Sequence, residues 1–169
     1  MILVDNNVLS SVAKIDRLDL LSSHFDTVAT TTGVVEELNR DAISGYDFVD
    51  RIDRVKRYHG GWLHILSPTE VELKRAEELL DETLSFTDAE CIAIARTREL
   101  ALLTDDKHVG EMAAQHDVEV WDLKLVLHVA ILDGILADRE TLAALIDELE
   151  AKDSYLFSER DRTDLFDAL

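Results

Sequence analysis

Acids placed where strands end or helices begin can do chemistry, and this chain has five. Asp5 directly follows the apolar run in MILVDNNVLSS, and Asp105 and Asp106 directly follow LALLT. Asp88 lies near the head of SFTDAECIAIARTR, and Glu37 lies within TTGVVEELNR. With 36 acids among 169 residues, a lone Asp or Glu carries little information and position has to decide. Each acid also has a plain alternative. Asp5 and the 105–106 pair could cap the helices that follow, and Asp88 could merely complement a helix dipole. Glu37 is separated from Glu36 by the helical wheel: at about 100° per residue, the apolar arc of Val34, Val35 and Leu38 lies closer to Glu37, which leaves Glu36 solvated. Thr87 with Glu90 reads as a capping box, which would make Asp88 the first helical residue, heading the stripe of Cys91, Ile92 and Ala95.

If these carboxylates converge with no lysine or histidine beside them, they repel one another and raise one another's pKa values. A hard divalent cation resolves that conflict, and oxygen-only ligands suit Mg²⁺ or Mn²⁺. Such an ion lowers the pKa of a bound water and stabilises both the attacking and the leaving oxygen at phosphorus, so the implied chemistry is phosphodiester hydrolysis. There is no Gly-rich phosphate loop, no zinc motif, and no Ser or Cys with an evident partner base.

The elements that must position these acids alternate. Strand-length apolar runs fall at ILV near the start, 27–31, 62–66, 100–104 and 118–121, with helical periodicity between them. PTEVELKRAEELLD opens with Pro68, suited to a first helical turn, and residues 138–152 put Leu142, Leu145, Ile146 and Leu149 on one stripe. Alternation of this kind predicts an α/β fold, a mostly parallel sheet flanked by helices, in which ligands sit beyond the carboxyl ends of the strands. A length of 169 residues predicts one domain. No positive segment precedes the apolar start, and the stretch WDLKLVLHVAILDGILA is too polar to span a bilayer, so no signal peptide, no membrane association and a cytoplasmic location are expected. The single cysteine, Cys91, sits among apolar residues and reads as core.

Charge is the strongest compositional signal: 36 acids against 17 Lys plus Arg give a net charge of -19, with only 6 lysines beside 11 arginines. An acidic chain normally repels nucleic acid. Here the acids are interspersed through a patterned globular sequence, which suggests a halophilic protein working in molar salt, where charges are screened beyond about 3 Å. On that reading, net charge does not exclude an RNA substrate. The basic cluster RIDRVKRYHGGW, with Arg51, Arg54, Lys56 and Arg57 near Tyr58 and Trp62, could contact single-stranded RNA; its plainer reading is a solvated helix face laced with ion pairs.

ILVDNNVLSS, GVVEELN, FTDAECIAIA and LLTDDKHV, in that order and spacing, resemble the PIN-domain family, and in particular its VapC-like ribonuclease toxins. The resemblance covers roughly residues 1–121, with 122–169 similar to a C-terminal helical extension packed on the core of a single domain spanning 1–169. It implies a three-layer fold and metal-dependent RNA cleavage by Asp5, Glu37, Asp88 and Asp106. The ion, Mg²⁺ or Mn²⁺, would be held by Asp5, Asp88 and Asp106, with Asp105 the competing fourth acid. Asn7 and Thr104 would support the site, although Asn6 stands where the family often has Thr or Ser. The implied partners are RNA, a small antitoxin and a second copy of the chain. Two alternatives stand beside this: a PIN-like module that binds metal or a partner without cutting, and a receiver-like phosphoacceptor domain, whose first strand ILVDNN also resembles. The tail YLFSERDRTDLFDAL, with Tyr155, Leu156, Phe157, Leu165 and Phe166, is too apolar to hang free and is expected to dock.

Overall fold

The structure, a computed structural model, describes residues 1–43 and 45–169, the side chains of 41–43 excepted. Five strands form one sheet: β1 (Ile2–Val4), β2 (Val28–Thr31), β3 (Leu63–Leu66), β4 (Ala101–Leu103) and β5 (Val120–Trp121). Each falls inside an apolar run that the sequence marked as a strand. All neighbours pair in parallel, in the order β3-β2-β1-β4-β5. The residues of β1 are all buried, as a central parallel strand covered on both faces requires.

Helices fill the crossovers. The first two connections carry α1 (Asn6–Lys14), α2 (Asp19–Ser22), α3 (Thr32–Ile43) and α4 (Phe48–Val55). The chain then returns from β3 across the sheet to β4 through α5 (Glu70–Leu79) and α6 (Phe86–Arg98), and reaches β5 through α7 (Lys107–Gln115). Right-handed crossovers put helices of leftward connections on one face and those of rightward connections on the other. The result is three layers, with α1 packed on α3 and α4, and α6 packed on α5 and α7. The order differs from the 2-1-3-4-5 arrangement of receiver-like folds, and β3 ends in Leu66 and Ser67 rather than an aspartate, which removes the ground for the phosphoacceptor alternative.

Three further helices, α8 (Leu123–Leu132), α9 (Arg139–Asp153) and α10 (Glu159–Asp167), follow β5. The stripe Leu142, Leu145, Ile146 and Leu149 of α9 is buried, α9 lies against α1, and α10 lies against α8. Phe157 and Leu165 of the tail are buried, whereas Leu156 is 89% exposed.

Two helix starts differ from expectation. Pro68 lies before α5, whose N-cap is Thr69 in a capping box with Glu72. The cap of α6 is Ser85, not Thr87: Ser85 is extended at φ -68, ψ 158, and its Oγ accepts from the Asp88 amide. The helix therefore begins earlier, Asp88 is its third residue, and Glu90 is free to turn inward and accept the Gly33 amide at 3.2 Å. No helix among the described residues is long and apolar enough to cross a membrane.

Candidate active site

The chain leaves β1 toward β2 and later returns to β4 on β1's other side, so the order in which strands are added reverses between β1 and β4. Crevices beyond the carboxyl ends of strands at such a switch are where ligands bind. Asp5 follows β1 and the Thr104–Asp106 segment follows β4, so both stand at this crevice. The backbone fixes them together: the Asp5 amide donates to the Leu103 carbonyl at 3.1 Å, and the Thr104 amide to the Trp121 carbonyl at 2.9 Å.

Asp5 is 1% exposed. Its Oδ1 caps α1 by accepting from the Val8 amide at 2.9 Å, while its buried Oδ2 has no hydrogen-bond partner among the described residues. Burial pushes its carboxyl up to about 7, and the charges of Asp105 and Asp88 add to that, against the pull of the Thr104 hydroxyl and the Val8 amide. Asp5 is therefore both a cap and a carboxylate with one unused oxygen.

The remaining acids come from helix beginnings. Asp88 is half-buried; Ser85 Oγ donates to its Oδ2 at 2.6 Å. Burial raises its pKa, and Glu37 and Asp106 raise it further, which places both acids within electrostatic reach. Glu37 is half-buried in the second turn of α3, where its Oε2 accepts from Asn6 Nδ2 at 2.8 Å; Asn6 Oδ1 in turn accepts from Ser10 Oγ. Glu36 is exposed, as the wheel predicts. Asn7 is exposed too, and among the described residues its side chain makes no bond to Asp5: Asn6 is the asparagine that reaches the acids.

Asp105 and Asp106 part company. Asp106 is exposed, caps α7 by accepting from the Val109 amide at 3.0 Å, and donates its own amide to the buried Thr104 hydroxyl at 3.1 Å. Asp105 turns toward the C-terminal helices, where its Oδ1 accepts from the Leu123 amide at 2.9 Å and from the Tyr155 hydroxyl at 3.1 Å. Its Oδ2 is buried without a partner among the described residues, and burial, then Asp122 and Asp153, raises its pKa. Asp106 thus lies within electrostatic reach of Asp88, and both Asp105 and Asp88 within that of Asp5.

None of the ion pairs formed among the described residues involves these five acids. What offsets their charge is the first turns of α1, α6 and α7, whose exposed amides favour anions. The donor set is all oxygen, and two buried oxygens are unused, which suits a hard divalent cation. As they stand, no three His, Cys, Asp or Glu side chains among the described residues are gathered tightly enough to chelate one.

The basic cluster lies at the other edge of the sheet. Lys56 is buried against Asp53 at 2.6 Å and bridges Leu63, the residue that opens β3. Arg51 donates to the Ala13 and Lys14 carbonyls at 2.7 and 3.0 Å, closing the far end of α1 from Asp5. Arg54 and Arg57 are exposed near that same edge. Within the cluster Lys56 pairs with Asp53 and Arg51 with Asp16, while Arg54 and Arg57 face solvent.

Residues that the sequence reading passed over are Asn6, Ser85 and Tyr155. Ser85 was legible as a Ser-x-x-Asp cap, and Tyr155, 50 positions from Asp105, left no local signal.

A family model described as DUF3368: PIN domain matches residues 1–163. No curated protein sequence matches the chain. Among solved structures, PAE2754 from Pyrobaculum aerophilum is 21% identical with a TM-score of 0.53, over 76% of this chain and 88% of that one. VapC20 from Mycobacterium tuberculosis, described as a sarcin-ricin loop cleaving toxin, is 20% identical with a TM-score of 0.53, over 66% and 94%. VapBC2 from Rickettsia felis, bound to a DNA fragment from its promoter, is 13% identical with a TM-score of 0.53, over 72% and 98%. At these identities the likeness to the solved structures is one of fold.

Proposed function

The chain belongs to the PIN-domain family, and from that premise we propose that it is a divalent-metal-dependent endoribonuclease, the toxin of a type II toxin-antitoxin pair. The observation that carries this reading is Asp5, buried at the sheet's switch point with one oxygen unused and its carboxyl pushed up to about 7 among other acids. Bound Mg²⁺ or Mn²⁺ would neutralise the acids, offset phosphate charge and make a water nucleophilic near neutral pH. Asp5, Asp88 and Asp106, with Asp105 the competing fourth acid, are the residues that would hold it.

The chain's own part is orientation and proton handling. Thr104 orients the Asp105–Asp106 turn through its hydroxyl. Ser85 holds Asp88, and Asn6 holds Glu37, each through one carboxylate oxygen. Both acids are half-buried and so more accessible than Asp5, which suits them to take the proton released when water attacks phosphorus. The promoter-bound VapBC2 relative supports a small DNA-binding antitoxin as partner.

One observation favours a second reading, a PIN-like module that does not cut: the acids are not gathered tightly enough to chelate an ion as they stand. Cleavage of a mixed RNA pool with Mn²⁺ tests the choice. Cleavage by the wild-type chain, abolished by EDTA and by the double substitution Asp5→Asn, Asp88→Asn, is expected. Cleavage that survives both substitutions would sink the assignment, and metal binding without cleavage of any RNA would favour the second reading.

A further inference from the structure

We propose that Tyr155 is a positioning residue of the acid cluster, holding Asp105 from the segment between α9 and α10 so that one Asp105 oxygen stays free. The inference rests on the reading of these acids as a divalent-cation site and adds the C-terminal extension to it.

Two donors converge on one oxygen of Asp105. The Leu123 amide reaches Oδ1 at 2.9 Å from the start of α8, and the Tyr155 hydroxyl reaches the same oxygen at 3.1 Å. Together they fix the carboxylate's rotation and leave Oδ2 buried and unpartnered, the same condition as Asp5 Oδ2. Carboxylates that ligate metal ions are commonly oriented in this way by hydrogen bonds to the oxygen that does not bind.

The segment carrying Tyr155 is itself anchored. Asp153 accepts from Ser11 Oγ at 2.5 Å and from Lys14 Nζ at 2.6 Å, which fastens the end of α9 to α1. Ser154 then adopts φ 56, and the chain turns so that the Tyr155 amide donates to the Leu149 carbonyl at 3.3 Å. The Tyr155 ring lies 4.6 Å from that of the buried Phe157. Arg162 pairs with Glu150, and Lys124 with Asp161 at 2.6 Å, joining α10 to α9 and to α8. Packing alone would need only the ring. The hydroxyl is what makes the link to an acid at the edge of β4.

The test is Mn²⁺ binding by the full chain, read as the loss of the free-ion electron paramagnetic resonance signal on titration. Wild type, Tyr155→Phe, Tyr155→Leu and Asp5→Asn are compared, with Tyr58→Phe, an exposed tyrosine at the other edge, as control. Melting in EDTA reports whether each variant folds. Tyr155→Phe keeps the ring contact and is expected to melt as wild type does, yet to bind Mn²⁺ about 10-fold more weakly. Tyr155→Leu should bind at least as weakly, Asp5→Asn should bind none, and Tyr58→Phe should match wild type. If Tyr155→Phe binds as tightly as wild type while Asp5→Asn does not bind, the positioning role is overturned and the metal site stands. If wild type binds no Mn²⁺, or Asp5→Asn binds as wild type does, the site reading itself falls.

Discussion

At Asp5 a helix cap and a free carboxylate oxygen coexist, because its two oxygens do different things. Oδ1 satisfies an amide of α1, and Oδ2 is buried without a hydrogen-bond partner among the described residues. The consequence is measurable without metal. With its carboxyl raised from 3.8 to about 7, the native chain holds this proton more tightly than the unfolded chain does. Stability from this group is therefore greatest below about pH 4, declines as pH rises through the window to about 7, and above that carries the full cost of a buried charge, about 4 kcal/mol. Asp5→Asn keeps an acceptor for Val8 and removes the charge. In EDTA, urea unfolding should find the variant close to wild type at pH 4 and more stable at pH 8, while RNA cleavage is lost. A variant less stable than wild type at pH 8 would refute this account of Asp5.

At the scale of elements, the site is made of helix beginnings, and caps govern it. Ser85 both starts α6 and grips Asp88, so one hydroxyl links helix stability to the acid's orientation. Ser85→Ala should cost about 1 kcal/mol in urea unfolding and lower the rate of Mn²⁺-dependent cleavage, and Ser85→Thr should restore both. Loss of stability with no change in cleavage would mean that Asp88 orients itself without the cap. The misplacement of this helix start from sequence has a plain cause. SFTDAE contains two overlapping capping patterns, Ser85 with Asp88 and Thr87 with Glu90; the earlier one forms, and Glu90 is instead turned to the Gly33 amide, a contact 57 residues away that no local pattern announces.

The whole molecule sets charge against topology. The acids gather at the carboxyl edge of β1 and β4, and the basic cluster of residues 51–57 lies toward the opposite edge. Arg54→Ala with Arg57→Ala should therefore leave kcat/KM on RNA unchanged, and a large loss would return that cluster to the substrate path. The net charge of -19 has a separate consequence. Raising KCl from about 0.1 M to about 1 M shortens the screening length from about 10 to about 3 Å and weakens the chain's self-repulsion. We propose adaptation to high salt, for which Tm should rise over that range; a flat or falling Tm would count against it.

By itself the sequence determined the five strands, the alternation that makes the sheet parallel, the inward side of α3 and the acids that head the crevice. These are local properties: a period of two or of 3.6, a run of apolar residues, an acid directly after it. The tertiary structure decided what depends on contacts between distant residues. It turned Asp105 toward the C-terminal helices and left Asp106 capping α7, put Asn6 rather than Asn7 against Glu37, and carried Arg51 to the end of α1. It also brought Tyr155 to Asp105 across 50 residues, a pairing fixed by how the last helices fold back on the first.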